Sequence, residues 1–169
     1  MRMILFTVTL AGVLCGVPGR ASADAAADGR AVSDAFAKAV AAGDVQAIVA
    51  LYRDDASVIW PGQGEEAKGK PAIEALAKKL VAEKSGTIVL KSQDSIPLGD
   101  GYIVNVGRWE NTLKTPAGKM QTVVIRTSEV LQKTDGKWLY LVDHASIGLP
   151  PAPPPQRRGD AGRRRAPAH

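Results

Sequence analysis

The chain has a single cysteine, two histidines, and no apolar run of the roughly 20 residues needed to span a bilayer as a helix. Each shortage excludes something. The cysteine, Cys15, lies in the N-terminal apolar stretch, so the rest of the chain cannot form a disulfide and must be stabilised by an ordinary core. Leu14 stands beside it where a lipid-anchoring signal would want a small residue. His169 ends the chain, which leaves His144 as the one histidine of the body, with no cysteine and no carboxylates clustered at ligand spacing. No metal site is therefore expected. There is no glycine-rich phosphate loop, no G-x-S-x-G elbow and no internal repeat, and no cofactor is expected.

The excess of positive charge is also absent where it would matter. The net charge is +5 over 169 residues, but Arg2 and Arg20 lie in the first 23 residues, and residues 149–169 hold five arginines against Asp160. The body is left one unit negative, so a specific nucleic-acid function loses its electrostatic basis. Both ends read as appendages. Residues 1–23 combine Arg2, an apolar run from Ile4 to Val17 and Ala21-Ser22-Ala23, the pattern of an export signal cleaved before Asp24. This predicts a secreted or periplasmic protein without stable membrane insertion; a retained anchor is the alternative. Residues 149–169 are proline- and arginine-rich with almost no large apolar side chain, and are expected to be a disordered tail.

What is present lies between them, in residues 24–148. Asp24 to Gly29 reads as a loose leader. Val32, Phe36 and Val40 then mark a helix over about Arg30–Ala42. Gly43 suits its C-terminal close and Asp44 the cap of a second helix, whose stripe is Val45, Ile48, Val49 and Tyr52. After the polar break Arg53-Asp54-Asp55, a short strand is expected from Ser57, ended by Pro61, with Gly62–Gly69 as a loop. Pro71 opens a third helix with Ile73, Leu76, Leu80 and Val81 on its buried side, and Gly86 follows its end. From Thr87 the period changes to two. Strands are expected over Thr87–Gln93, Tyr102–Leu113, Met120–Gln132 and Trp138–Ile147, with turns at Ile96–Gly101, Thr115–Gly118 and Asp135-Gly136. That order implies an α+β fold, with two or three helices on one face of a curved, mostly antiparallel sheet.

The stretch GDVQAIVALYRDDASV, then GKPAIEAL, then DGKW followed by DHAS, resembles the nuclear transport factor 2-like superfamily, and within it the SnoaL-like and ketosteroid-isomerase-like cones. The resemblance covers about residues 30–148. It implies a sheet wrapped round helices, an apolar pocket at the open end, and dimers formed through the outer sheet face. It does not carry over the steroid-isomerase machinery. The position of that family's general base holds Trp60, the enolate-donating tyrosine corresponds to Phe36, and the protonated acid falls at Ser128 within one residue of register. Trp60 cannot abstract a proton as the base would, and Phe36 cannot donate to an enolate as the tyrosine would.

Strict alternation along the last strand sets His144 with Trp138, Tyr140 and Val142, and Asp143 with Leu139, Leu141 and Ala145 on the opposite face. By the family register, the Asp143 face looks into the cone. An acid among apolar neighbours is a candidate for catalysis, or else pairs with Arg126 or Arg108. His144 is the other catalytic candidate, or a packed structural histidine or dimer-face residue. Trp60, Tyr102 and Trp109, with Arg126 and Ser128, are the candidate pocket lining. Glu65 and Glu66 are expected to be solvated. The functional expectation is a small apolar or amphipathic molecule held in the cone, or a dimeric module. The alternative is an isomerase, cyclase or dehydratase using Asp143 and His144. Because the strands from Tyr102 to Ile147 are apolar on both faces, a homodimer through the sheet is expected.

Overall fold

Gly43 and Asp44 divide the first two helices as their chemistry requires. In the computed structural model, the Gly43 amide donates to Val40 O at 3.0 Å, and the Asp44 carboxylate accepts from the Ala47 amide at 2.9 Å. The structure describes residues 18–61, 66–82, 87–99, 101–114 and 118–147. The expected apolar signal run, Gly86, Glu65, the Thr115–Ala117 loop residues and the tail lie outside them.

Helix α1 is Pro18–Ala42, α2 Val45–Ala50 and α3 Gly69–Ala82; the strands are β1 Tyr52–Ile59, β2 Ala67–Lys68, β3 Ile88–Pro97, β4 Tyr102–Lys114, β5 Met120–Thr134 and β6 Lys137–Ile147. They form one sheet in the order β2-β1-β6-β5-β4-β3, parallel between β1 and β6 and antiparallel elsewhere. All three helices contribute to a single core. Phe36, Ile48, Ile73 and Leu76 meet Tyr52, Val58, Ile103, Trp109, Leu131 and Tyr140 from the sheet. The α+β arrangement is thus the one the period change implies.

Four local expectations are corrected. Asp24–Gly29 is not loose: it is part of α1, with Ala25 and Gly29 buried. Its small residues suit a helix lying flat on the sheet. A Cβ on Gly29 would come within 2.5 Å of Asn105 Oδ1 and Ser95 Oγ, and Asp28 accepts from Trp138 Nε1 at 2.7 Å. Second, Tyr52 begins β1 rather than ending α2. Arg53-Asp54-Asp55 lies inside the strand, because a register shift between Tyr52 and Ser57 frees those residues from β6. There Arg53 binds the Asp55 carboxylate, Gln132 and Thr134. Third, Ala67-Lys68 in the expected loop pairs with β1 as a two-residue edge strand. Fourth, β3 runs on to Pro97, so the turn to β4 is shorter.

The Asp135-Gly136 turn is as expected, with φ of +50° and +78°, the doubly left-handed geometry of a two-residue hairpin. The hairpin it closes contains the decisive irregularity. Leu131 pairs with Tyr140 but Val130 with Val142, leaving Leu141 without an opposite number. This bulge inverts the phase of β6. Tyr140 (2% exposed), Asp143 (6%) and Ala145 (8%) face inward together, while Val142 is 38% exposed on the outer face. The expected grouping of Tyr140 with Val142 and His144 is therefore corrected, as is that of Asp143 with Leu139 and Leu141.

Candidate functional site

The inward rows of β4, β5 and β6 converge with α1 and the end of β1 on a cavity of about 130 Å3. Its walls are apolar: Phe36 from α1, Trp60 and Pro61 after β1, Leu80 from α3, and Trp109 and Ile125 from the sheet. Phe36 is the hub of an aromatic cluster, edge-on to Trp60, Trp109 and Tyr140 at centroid distances of 5.8, 6.2 and 6.4 Å. Edge-to-face packing of this kind rigidifies the wall as well as removing it from water.

Two acids project into this apolar space. Asp143 Oδ2 accepts from Tyr52 Oη at 2.7 Å and from Trp60 Nε1 at 2.8 Å. Burial pushes the Asp143 carboxyl above its ordinary range, and the Tyr52 and Trp60 donors hold part of that rise back. Tyr52 is anchored in turn by stacking on Tyr140, centroids 5.0 Å apart, and burial pushes its hydroxyl well above the usual range. Glu129 is the cross-strand partner of Asp143. It is 4% exposed, and burial, then the Asp143 charge, push it up to about 8, against lowering by Thr127 and Asn105. At neutral pH Glu129 is the member of the pair that keeps its proton. Asp143 is raised in the same direction, while its two donors, Tyr52 and Trp60, favour its ionised form.

A polar chain leads to Glu129 from the helix side. Ser33 Oγ donates to Gln93 Oε1 at 2.7 Å, Gln93 Nε2 to Ser95 Oγ at 3.0 Å, and Ser95 Oγ to Asn105 Oδ1 at 2.8 Å; Asn105 Nδ2 reaches Glu129 Oε2 at 3.5 Å. One buried atom of the cavity lining, Asn111 Oδ1, has no hydrogen-bond partner among the described residues.

Of the sequence candidates, Trp60, Trp109 and Asp143 meet in this cavity. His144 does not: it is exposed on the other face of β6, with Arg126 and Ser128, in a shallow outer groove that also takes Asp94, Arg108 and Ser146. Asp143 and His144 cannot share a cavity, because the bulge lies before both and leaves their alternation intact. Arg126 and Ser128 are likewise corrected from pocket lining to outer face, and neither Arg126 nor Arg108 pairs with Asp143. Tyr102 also lies on the outer face, accepting from Gln132 Nε2 at 2.7 Å. Glu66 is exposed as expected. Glu129 was missed in the sequence, although a signal was there: it alternates with Ile125, Thr127 and Leu131 on the inward row of β5, one residue from Ser128. Among the described residues no group of three or more histidine, cysteine, aspartate or glutamate side chains could hold a metal. No helix of the described residues is long and apolar enough to cross a membrane.

Solved structures share this architecture. A protein from Xanthomonas campestris, described as a candidate calcium/calmodulin-dependent protein kinase II association domain, superposes with a TM-score of 0.67 at 23% identity, covering 88% of this chain and 100% of its own. A ketosteroid isomerase-like protein from Erwinia carotovora atroseptica gives 0.62 at 22% identity, covering 73% and 96%. A candidate dehydratase of the NTF2-like family from Streptomyces avermitilis gives 0.65 at 16% identity, covering 76% and 99%. At these identities the likeness establishes the fold, which the three descriptions put to different uses. No curated protein matches the chain. The family model of the SnoaL-like domain matches residues 30–150. With that match over most of its length and the cone built as described, the chain belongs to the SnoaL-like domain family of the nuclear transport factor 2-like superfamily.

Proposed function

We propose that this chain is an exported small-molecule binding protein, whose cone holds an apolar molecule of single-ring size with one polar group set against Asp143 and Glu129. The observation that carries this reading is the cavity itself: about 130 Å3, walled by Phe36, Trp60 and Trp109, with the two acids, together with Asn111 and Thr127, as the few polar groups of a mostly apolar lining. Apolar walls supply affinity and a few fixed polar groups supply orientation. A cavity of this order accommodates a benzene-sized ring. Mass spectrometry of the natively purified protein is expected to find a small cyclic molecule bound. Ala145→Phe, which fills the cavity from β6, is expected to release it. A folded Ala145→Phe variant that retains the molecule would count against the site.

A second reading, proton transfer on the bound molecule, is favoured by two acids side by side in one cavity, Glu129 holding its proton at neutral pH and Asp143 taking two donors on its carboxylate. An ionised Asp143 would take a proton from carbon while a neutral Glu129 gives one to oxygen, forming an enol that reverts by the opposite transfers. The pair would replace the expected partnership of Asp143 with His144. Deuterium uptake from heavy water into cyclohexanone, lost in Asp143→Asn, is the expected sign; no uptake above the rate in buffer would remove this reading.

A further inference from the structure

The balance of polar groups in the cavity says more about its occupant. None of the residues lining it is a lysine, arginine or histidine. The two strong donors nearby, Tyr52 Oη and Trp60 Nε1, are both spent on one oxygen, Asp143 Oδ2. The other oxygen of Asp143 takes no hydrogen bond from any described residue. Asn111 Oδ1 also stands without a partner among the described residues. What the protein leaves over is therefore rich in acceptors, and Glu129 joins them when it loses its proton.

We propose that the polar group of the bound molecule is a protonated amine, making the site one for a small cyclic organic ammonium ion. The inference rests on the cone being a small-molecule site. Its physical basis is the cross-strand pair Glu129 and Asp143, which share the pocket with no cation from the protein. A neutral oxygen leaves their mutual repulsion untouched, and an anion adds to it. A cation turns both repulsions into attractions. Phe36, Trp60, Trp109 and Tyr140 in the lining suit the same charge, since aromatic rings attract cations.

The proton balance follows. Burial and the Asp143 charge keep Glu129 protonated until about pH 8. The other titratable groups facing the pair are Tyr52 from β1 and Tyr140 from β6, both kept neutral by burial. His144 acts on Asp143 only from the far side of β6, and α1, β3 and β4 bring Ser33, Ser95 and Asn105, none of which titrates. An ammonium that binds the ionised pair must expel the Glu129 proton below that pH, whereas an alkylammonium stays charged throughout, as lysine does.

Calorimetric titration of the full-length protein with cyclohexylammonium, cyclohexanol and cyclohexanecarboxylate at pH 6, 7 and 8 tests this. The ammonium is expected to bind best at pH 8, by about tenfold or more over the alcohol, and to weaken by up to about tenfold per pH unit below it. The carboxylate is expected not to bind. Glu129→Gln should remove the pH dependence, and the wild-type series decides the matter even if that variant does not fold. An alcohol that matches the ammonium, a carboxylate that binds, or an ammonium affinity flat from pH 6 to 8 overturns the inference and leaves the small-molecule site standing. If none of the three binds, both fall.

Discussion

Glu129 on β5 and Asp143 on β6 stand directly opposite one another, both facing the interior and each nine-tenths or more buried. Like charges so placed destabilise a sheet unless one is neutralised. The stability of the protein should therefore depend on pH in an unusual direction. A carboxyl whose folded pKa is raised binds more protons in the native than in the unfolded state, so its contribution is present below the unfolded value and lost as pH rises. With Glu129 pushed from 4.5 to about 8, and Asp143 raised as well, the window runs from about pH 4.5 to 8. Urea unfolding is expected to show a fall of up to about 1.4 kcal/mol per pH unit per group across it. Glu129→Gln should flatten the curve. Stability that rises between pH 5 and 8 would contradict the buried pair.

Tyr52→Phe removes one of the two donors to Asp143 without opening the cavity, since the ring remains stacked on Tyr140. A buried hydrogen bond to a charged group is worth about 1.5–3 kcal/mol, and that is the expected loss at pH 8. At pH 5, where Asp143 is closer to neutral, the loss should shrink. An equal loss at both values would mean that the hydroxyl matters only for packing.

Gly29→Ala sets two effects against each other. In an open helix the change stabilises by roughly 1 kcal/mol. Here the new methyl would meet Asn105 Oδ1 and Ser95 Oγ, each 2.5 Å away, and overpacking of a close contact costs about 1–3 kcal/mol. Net destabilisation is expected by thermal melting. It should carry a change at Glu129, because Asn105 also reaches that carboxyl.

The outer face of the sheet leaves Ile59, Val106 and Val142 at 38–46% exposure around the Arg108 and Arg126 side chains. Sheet-to-sheet association of two copies would cover this patch. Light scattering of the protein lacking residues 149–169 should show a dimer at micromolar concentration, and Val106→Asp should return it to a monomer. A wild-type monomer would leave the patch to another role.

Export predicts a mature N-terminus at Asp24, read by intact-mass measurement of the secreted protein. A cut there would spare Ala25, Asp28 and Gly29, the α1 residues that first meet the sheet. Retention of residues 1–23 would favour the anchor instead.

The parts of this protein legible in its residues were those set by near neighbours. The Val32 and Phe36 stripe, the Asp44 cap, the Ile73 and Leu76 face and the Asp135-Gly136 turn are each decided within one or two turns of chain, by periods of 3.6 or 2 and by the left-handed backbone of a hairpin. Their order was enough for the α+β class, whereas the placing of the Asp143 face in the cone came from the family resemblance. The pairing of strands was not local. A single unopposed residue, Leu141, moved Tyr140 inside and left His144 outside, and nothing in the composition of β6 marks that residue as the bulge. The partnership of Glu129 with Asp143 likewise depends on register between two strands, which core packing and the hairpin settle together. Local chemistry determined which elements form; only the tertiary register decided which acids meet.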